Sequence, residues 1–384
     1  MKSHGGTTPR SKEERPAELA MEKYYKDKSS FISTLVSSLK VTHDEDTAKK
    51  VAPHLVHMIR DPDVEIVLSA CRALNALMND SYGAIFDAES VLGTLCTCFL
   101  LLTNQDISDP SLQQVIVEVS SGIISFWSMI EPDCLERSMD HLMACRGPCL
   151  ACLQSNTVDV QVCALHILSA MYDPRIRGIV AYDKVSQTFE HVILLISTEN
   201  SMLLPAALNV CTRAMESLPS SKIDEILTLS YEYIKRMSMD EEIILSAMNF
   251  VESSIVHRPV SSLIDADMCG VLCGYVEQGI EEQKSTSILA LQILARLVNE
   301  DQKFSLVLEK YDSILEKLPG CVEDIESSQL YAYILNVFRQ FIEYNTLYDT
   351  NVGYLLSSLL DTCRNPLLRP VNSSSIMMPT LRNL

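Results

Sequence analysis

The sequence holds one tryptophan, 12 glycines and only 6% aromatic residues. Sandwiches and barrels consume turn glycines and aromatic or β-branched alternation in quantity, so these shortages argue against an all-β fold. Long apolar runs are also missing. The longest, Val91 to Leu102, is interrupted by Gly93 and Thr94 and is too short to span a bilayer. The opening MKSHGGTTPRSKEERPAE has no apolar stretch of the kind a secretory signal needs. No HExxH, GxSxG, P-loop or GxGxxG is present, and the eight histidines are dispersed, so the expectation is a protein that is not an enzyme and needs no cofactor. Positive charge is scarce: 31 Lys and Arg stand against 50 Asp and Glu, a net −19. Phosphate binding needs clustered cations, so nucleic acid is not an expected partner. Thirteen cysteines are few for a disulfide scaffold of 384 residues, and most fall inside apolar helical stripes. That is the pattern of reduced, buried thiols, and it places the chain in the cytoplasm, with the nucleus left open.

The charge that is present is uneven. Residues 1–28 carry seven Lys/Arg against five Asp/Glu, leaving 24 against 45, a net −21, for the rest. This first segment is polar and is expected to be flexible. Residues 29–364 follow as a repeat domain, and 365–384, with three prolines and a serine run, as a tail. The stretch around which the chain is organised is DPDVEIVLSACRALNALMN, Asp61 to Asn79. Asp61, Pro62 and Asp63 offer a turn and an N-cap, and Val67, Ala70, Ala73, Leu74 and Leu77 recur at helical steps as one apolar stripe. A single helix cannot bury such a stripe alone.

Matching stripes return at 120–127, 162–171, 205–214, 245–251, 289–297 and 332–341. From Asn75 to Asn336 is 261 residues in six steps, a period near 43, which belongs to two- or three-helix repeats. Between the stripes lie shorter apolar segments at 90–102, 148–153, 185–196, 222–237, 266–277 and 311–318, separated by Asp109-Pro110, Asp173-Pro174, Leu218-Pro219 and Leu318-Pro319-Gly320. DPDVEIVLSACRALNALMND followed by AESVLGTLCTCF resembles an armadillo or HEAT repeat, and VQVCALHILSAMYDPRIRGIV resembles another. The resemblance implies an all-α, right-handed α-solenoid superhelix of about seven armadillo/HEAT-like repeats. It also implies a concave groove that binds extended peptides, as in catenin-like scaffolds and adaptors. Importin-α-like members pair a Trp with an Asn along the groove helix. Here the equivalent positions hold Arg72/Ala76, Cys163/Ile167 and Ala206/Val210, a departure from that pattern.

One polar position recurs opposite the stripe: Asn75, Ser125, His166, Asn209, Asn249, Gln292 and Asn336. Amides can donate to and accept from the backbone of an extended peptide, so this ladder is the candidate groove. Arg213 and Arg296 follow Asn209 and Gln292 by four residues, Arg339 follows Asn336 by three, and Arg72 precedes Asn75 by three. On that side they either meet acidic groups of a protein partner or pair with the chain's own Glu252, Glu300 or Glu343. The expected partner is a linear, acidic segment of another protein, with no membrane insertion and the oligomeric state left open. Two alternatives stand beside this reading: a transport or chaperone cofactor of the same fold, and a zinc-stabilised protein using His141, Cys145, Cys149 and Cys152.

Overall fold

A computed structural model of the chain describes residues 45–79, 86–176, 186–236, 240–257, 266–279 and 284–300. The expected segment 1–28, the tail 365–384 and the stripe at 332–341 lie outside the described residues. Among these residues the secondary structure is helical, with thirteen α-helices. The chain divides into two compact units, Met1–Asp183 and Lys184–Leu384.

The first unit contains α1 (Glu45–Met58), α2 (Val64–Asn79), α3 (Ala88–Thr103), α4 (Pro110–Met129), α5 (Leu135–Ala144), α6 (Arg146–Leu153) and α7 (Val158–Ala170). The second contains α8 (Ser186–Ile196), α9 (Leu203–Arg213), α10 (Ser220–Lys235), α11 (Glu241–His257), α12 (Ala266–Gly279) and α13 (Ser285–Glu300). Local chemistry sets the ends. Asp61 and Asp63 Oδ1 accept from the backbone N–H of Asp63 and Glu65 at 2.9 and 3.0 Å, as the turn ahead of α2 requires. Asp109 caps α4 through Ser111 N–H at 2.9 Å, with Pro110 opening the helix. Asn200 Oδ1 holds the turn ahead of α9, accepting from the backbone N–H of Met202 and Leu203 at 3.0 and 3.1 Å. Pro53 sits inside α1, and the break between α5 and α6 falls at Cys145, so that Gly147 and Pro148 belong to the first turn of α6.

Each unit is built in two layers. In the first, α2, α4 and α7 pack in a row; in the second, α9, α11 and α13 do. These ladder helices carry the stripes. The flanking layer is α3, α5 and α6 in the first unit and α8, α10 and α12 in the second. Across the layers, a flanking helix packs against the ladder helix after it: α3 on α4, α8 on α9, α10 on α11, α12 on α13. At Gly122 on α4 a methyl would lie 3.1 Å from Leu95 Cδ1 of α3 and 3.3 Å from Asn75 Oδ1 of α2. The missing side chain lets three helices meet at one point.

The flanking layer of the second unit is stitched by a repeated bond. Tyr233 of α10 donates its hydroxyl to the carbonyl of Ile196, the last residue of α8, at 2.8 Å; Tyr275 of α12 donates to Ile234 of α10 at 2.9 Å. Carbonyls in the last turn of a helix lack an intrahelical donor, so each tyrosine satisfies one. Burial pushes the Tyr275 phenol up to about 12, which keeps the donor protonated. Tyr275→Phe is expected to cost about 1 kcal/mol, read as a melting point lower by a few degrees. Because the folded value lies above the ordinary 10.0, this contribution is complete below pH 10 and fades as pH rises toward 12.

The core is largely apolar, with Phe99, Phe126, Phe189 and Phe250 fully buried. Trp127, the single indole, serves a polar staple rather than a groove. Its Nε1–H donates to Asp173 Oδ2 at 3.0 Å. The same oxygen accepts from Arg175 Nη2 at 2.7 Å, and that guanidinium also donates to the carbonyls of Trp127 and Ile130 that close α4, at 3.1 and 3.3 Å. Among the described residues no single helix is long and apolar enough to cross a membrane.

Candidate functional site

The ladder residues divide by what they touch. Asn75 on α2 is half-buried; its Nδ2 donates to Glu118 Oε2 at 3.0 Å and to the Glu118 carbonyl at 3.1 Å. Arg72 reaches the other carboxylate oxygen of Glu118 at 3.2 Å. In the second unit Gln292 Nε2 donates to Glu252 Oε1 at 2.8 Å, and Arg296 Nη2 meets the same oxygen at 2.7 Å. Two ladder steps therefore hold a carboxylate of the chain itself. Ser125 is half-buried on α4 and His166 is exposed on α7. Asn336 and Arg339 lie outside the described residues.

The remaining step is different. Asn209, Thr212 and Arg213 of α9 and Ser246, Asn249 and Ser253 of α11 line an open cleft of about 220 Å³. Asn209, Arg213 and Asn249 are exposed. The helix faces behind them are apolar: Leu208, Val210 and Cys211 on α9 and Met248, Phe250 and Val251 on α11 are buried. The position opposite the stripe is thus left to polar side chains. Arg213 is the one charge in the cleft lining, and it has no ion-pair partner among the described residues. The cleft is lined by one guanidinium, two amides and three hydroxyls, and Arg213 with Asn249 suits a carboxylate and the peptide groups beside it.

The residues of the zinc alternative do not converge. His141 is exposed on α5, with its ring against Gly93 of α3, where a methyl would lie 3.1 Å from Nε2. The Cys145 thiol instead points at the carbonyls of Cys96 and His141, at 3.8 and 3.7 Å. Cys149 and Cys152 are fully buried. Burial pushes the Cys152 thiol up to about 12 and holds Cys149 well above the ordinary range. Among the described residues no group of three His, Cys, Asp or Glu side chains is placed to hold a metal ion. The CxxC spacing reflects two small apolar positions one turn apart on the buried side of α6.

Sequence reasoning named Glu252 as one possible internal partner for an arginine, and the structure places it against Arg296. It missed Glu118. Glu118 stands in α4 one turn before Gly122, the glycine at which α2 and α4 approach; only that contact brings it within reach of Asn75.

No protein-family model matches the sequence, and no curated protein matches it either. Among solved structures the chain is similar to importin beta, crystallised in an ammonium sulfate condition, with a TM-score of 0.50 at 13% identity. The match covers 94% of this chain and 53% of that one.

Proposed function

Since the chain is an α-solenoid of the HEAT/armadillo-like kind, we propose that it is a non-catalytic scaffold that holds an extended, acidic segment of a partner protein along its ladder. The observation that carries this reading is the cleft between α9 and α11, where polar side chains replace the apolar ones of the opposite helix faces. Amides at helical steps can hold a peptide backbone, and a guanidinium selects the sign of its side chains. In the second unit Asn209 and Asn249 line this cleft with Arg213 as its cation, while Gln292 and Arg296 hold Glu252 of the chain itself. The acidity of the rest of the chain makes arginine on this face stand out electrostatically. The resemblance to importin beta supports a helical-repeat scaffold and leaves the partner to experiment.

The test is to pan the intact chain against displayed random dodecapeptides. Asn249→Trp fills the cleft from an exposed position and is expected to leave the melting temperature unchanged while lowering binding of the enriched peptides at least about tenfold. Equal binding by wild type and Asn249→Trp would remove the proposal.

A further inference from the structure

Two ladder steps show what these side chains do with a carboxylate. On α13, Gln292 and Arg296, four residues apart, converge on one oxygen of Glu252 at 2.8 and 2.7 Å. On α2, Arg72 and Asn75, three apart, hold the two oxygens of Glu118 at 3.2 and 3.0 Å. Each time, an amide N–H and a guanidinium one turn apart on a ladder helix clasp a single carboxylate from the neighbouring ladder helix. Residues one turn apart share a helix face, so the clasp follows from the spacing.

The same pair stands on α9 at the same spacing as on α13, as Asn209 and Arg213. Arg213 faces Asn249, Ser246 and Ser253 across the cleft, none of them charged. We propose, resting on the groove reading above, that the α9–α11 cleft is a subsite for one carboxylate side chain, an aspartate or glutamate of the bound segment, with Arg213 as its counter-charge. Glu252 engages both Gln292 and Arg296, so the next step along the unit does not take a second acid. The segment selected here carries one anchoring acidic residue rather than an acidic run. Two further features agree. The cleft, at about 220 Å³, admits a side chain and not a folded element, and the net −21 of residues 29–384 repels a run of acids while a local guanidinium still attracts one.

The peptide selection decides this when it is run on the intact chain as wild type, Arg213→Gln and Glu252→Ala. Glutamine keeps a hydrogen-bonding side chain, and losing a charge at the last turn of α9 perturbs the helix only slightly. Wild type is expected to enrich peptides with Asp or Glu at one fixed position, and a synthetic copy with Gln there should bind about tenfold more weakly or worse. Arg213→Gln should erase that preference. Glu252→Ala should release Gln292 and Arg296, and a second acidic position should appear at a constant distance from the first. Enriched peptides with no fixed acid, or with an acid indifferent to Arg213→Gln, overturn the carboxylate subsite and leave the groove standing. A single acid still selected by Glu252→Ala overturns the blocking role of Glu252. Failure of wild type to enrich any peptide sinks the groove and this inference together.

Discussion

Replacing Arg175 by alanine is expected to destabilise the first unit by about 2 kcal/mol, less than for a fully buried pair because the Arg175 side chain is 35% exposed. The reason lies in what the change leaves behind. Asp173 is only 8% exposed. Burial by itself would raise its carboxyl, but hydrogen bonds from the Arg175 side chain and backbone and from the Trp127 indole, with the guanidinium charge beside it, outweigh burial and hold it below the usual carboxylate value. In the wild type the folded value therefore lies under the unfolded one. The staple's contribution is full above the ordinary carboxylate value of 3.8 and is lost as pH falls through the folded value. In Arg175→Ala the guanidinium's bonds and charge are gone while burial, the Trp127 bond and the backbone N–H of residue 175 remain, so the folded value moves up toward the unfolded one. The difference in melting temperature between wild type and variant should consequently be largest near neutrality and shrink below pH 4. Arg175→Ala with Asp173→Asn should recover part of the loss, because no charge is then left buried without a partner. A difference independent of pH would show that Arg175 acts through packing on the Trp127 ring, whose centroid lies 5.7 Å from the guanidinium carbon.

The second large effect is expected at Phe250→Ala. Phe250 is fully buried on α11, next in sequence to Asn249 in the cleft lining. Removing a buried phenyl group costs about 3–5 kcal/mol in lost burial and cavity, so the second unit should melt roughly 10 °C lower. Asn249→Trp, one position away, should leave the melt alone and alter binding. The pair tests whether α11 divides into a face that builds the fold and a face left free for a ligand. A similar melting loss from both substitutions would contradict that division.

Much of this was legible in the sequence. The expected segments at 90–102, 148–153, 185–196 and 266–277 each coincide with a helix to within a few residues. Apolar periodicity records which side of a helix is buried, and Asp-Pro pairs record where helices begin. What the pattern could not convey is which neighbour a helix chooses. The close approach at Gly122, for example, brings α4 against Leu95 of α3, a meeting of residues 27 apart. The candidate site was legible as a row of positions but not as a division of labour among them. Asn209, Asn249 and Gln292 look alike in one dimension. Only the packing of α13 beside α11 shows that Gln292 and Arg296 already hold Glu252 while Arg213 faces the cleft. The staple at Trp127 was similarly hidden, because its three members are brought together by the ends of α4 and α7.

The thiols have a practical use. Cys71, Cys96, Cys98, Cys145, Cys149 and Cys152 are buried in the first unit, and Cys211, Cys269 and Cys273 in the second. Burial pushes Cys98 and Cys273 up to about 12, and a thiol held that far from its reactive anion ignores alkylating reagents at neutral pH. Each becomes reactive only when its surroundings open. Timed exposure to iodoacetamide, followed by peptide mass spectrometry, would turn these native cysteines into clocks that record separately how often each half of the chain comes apart.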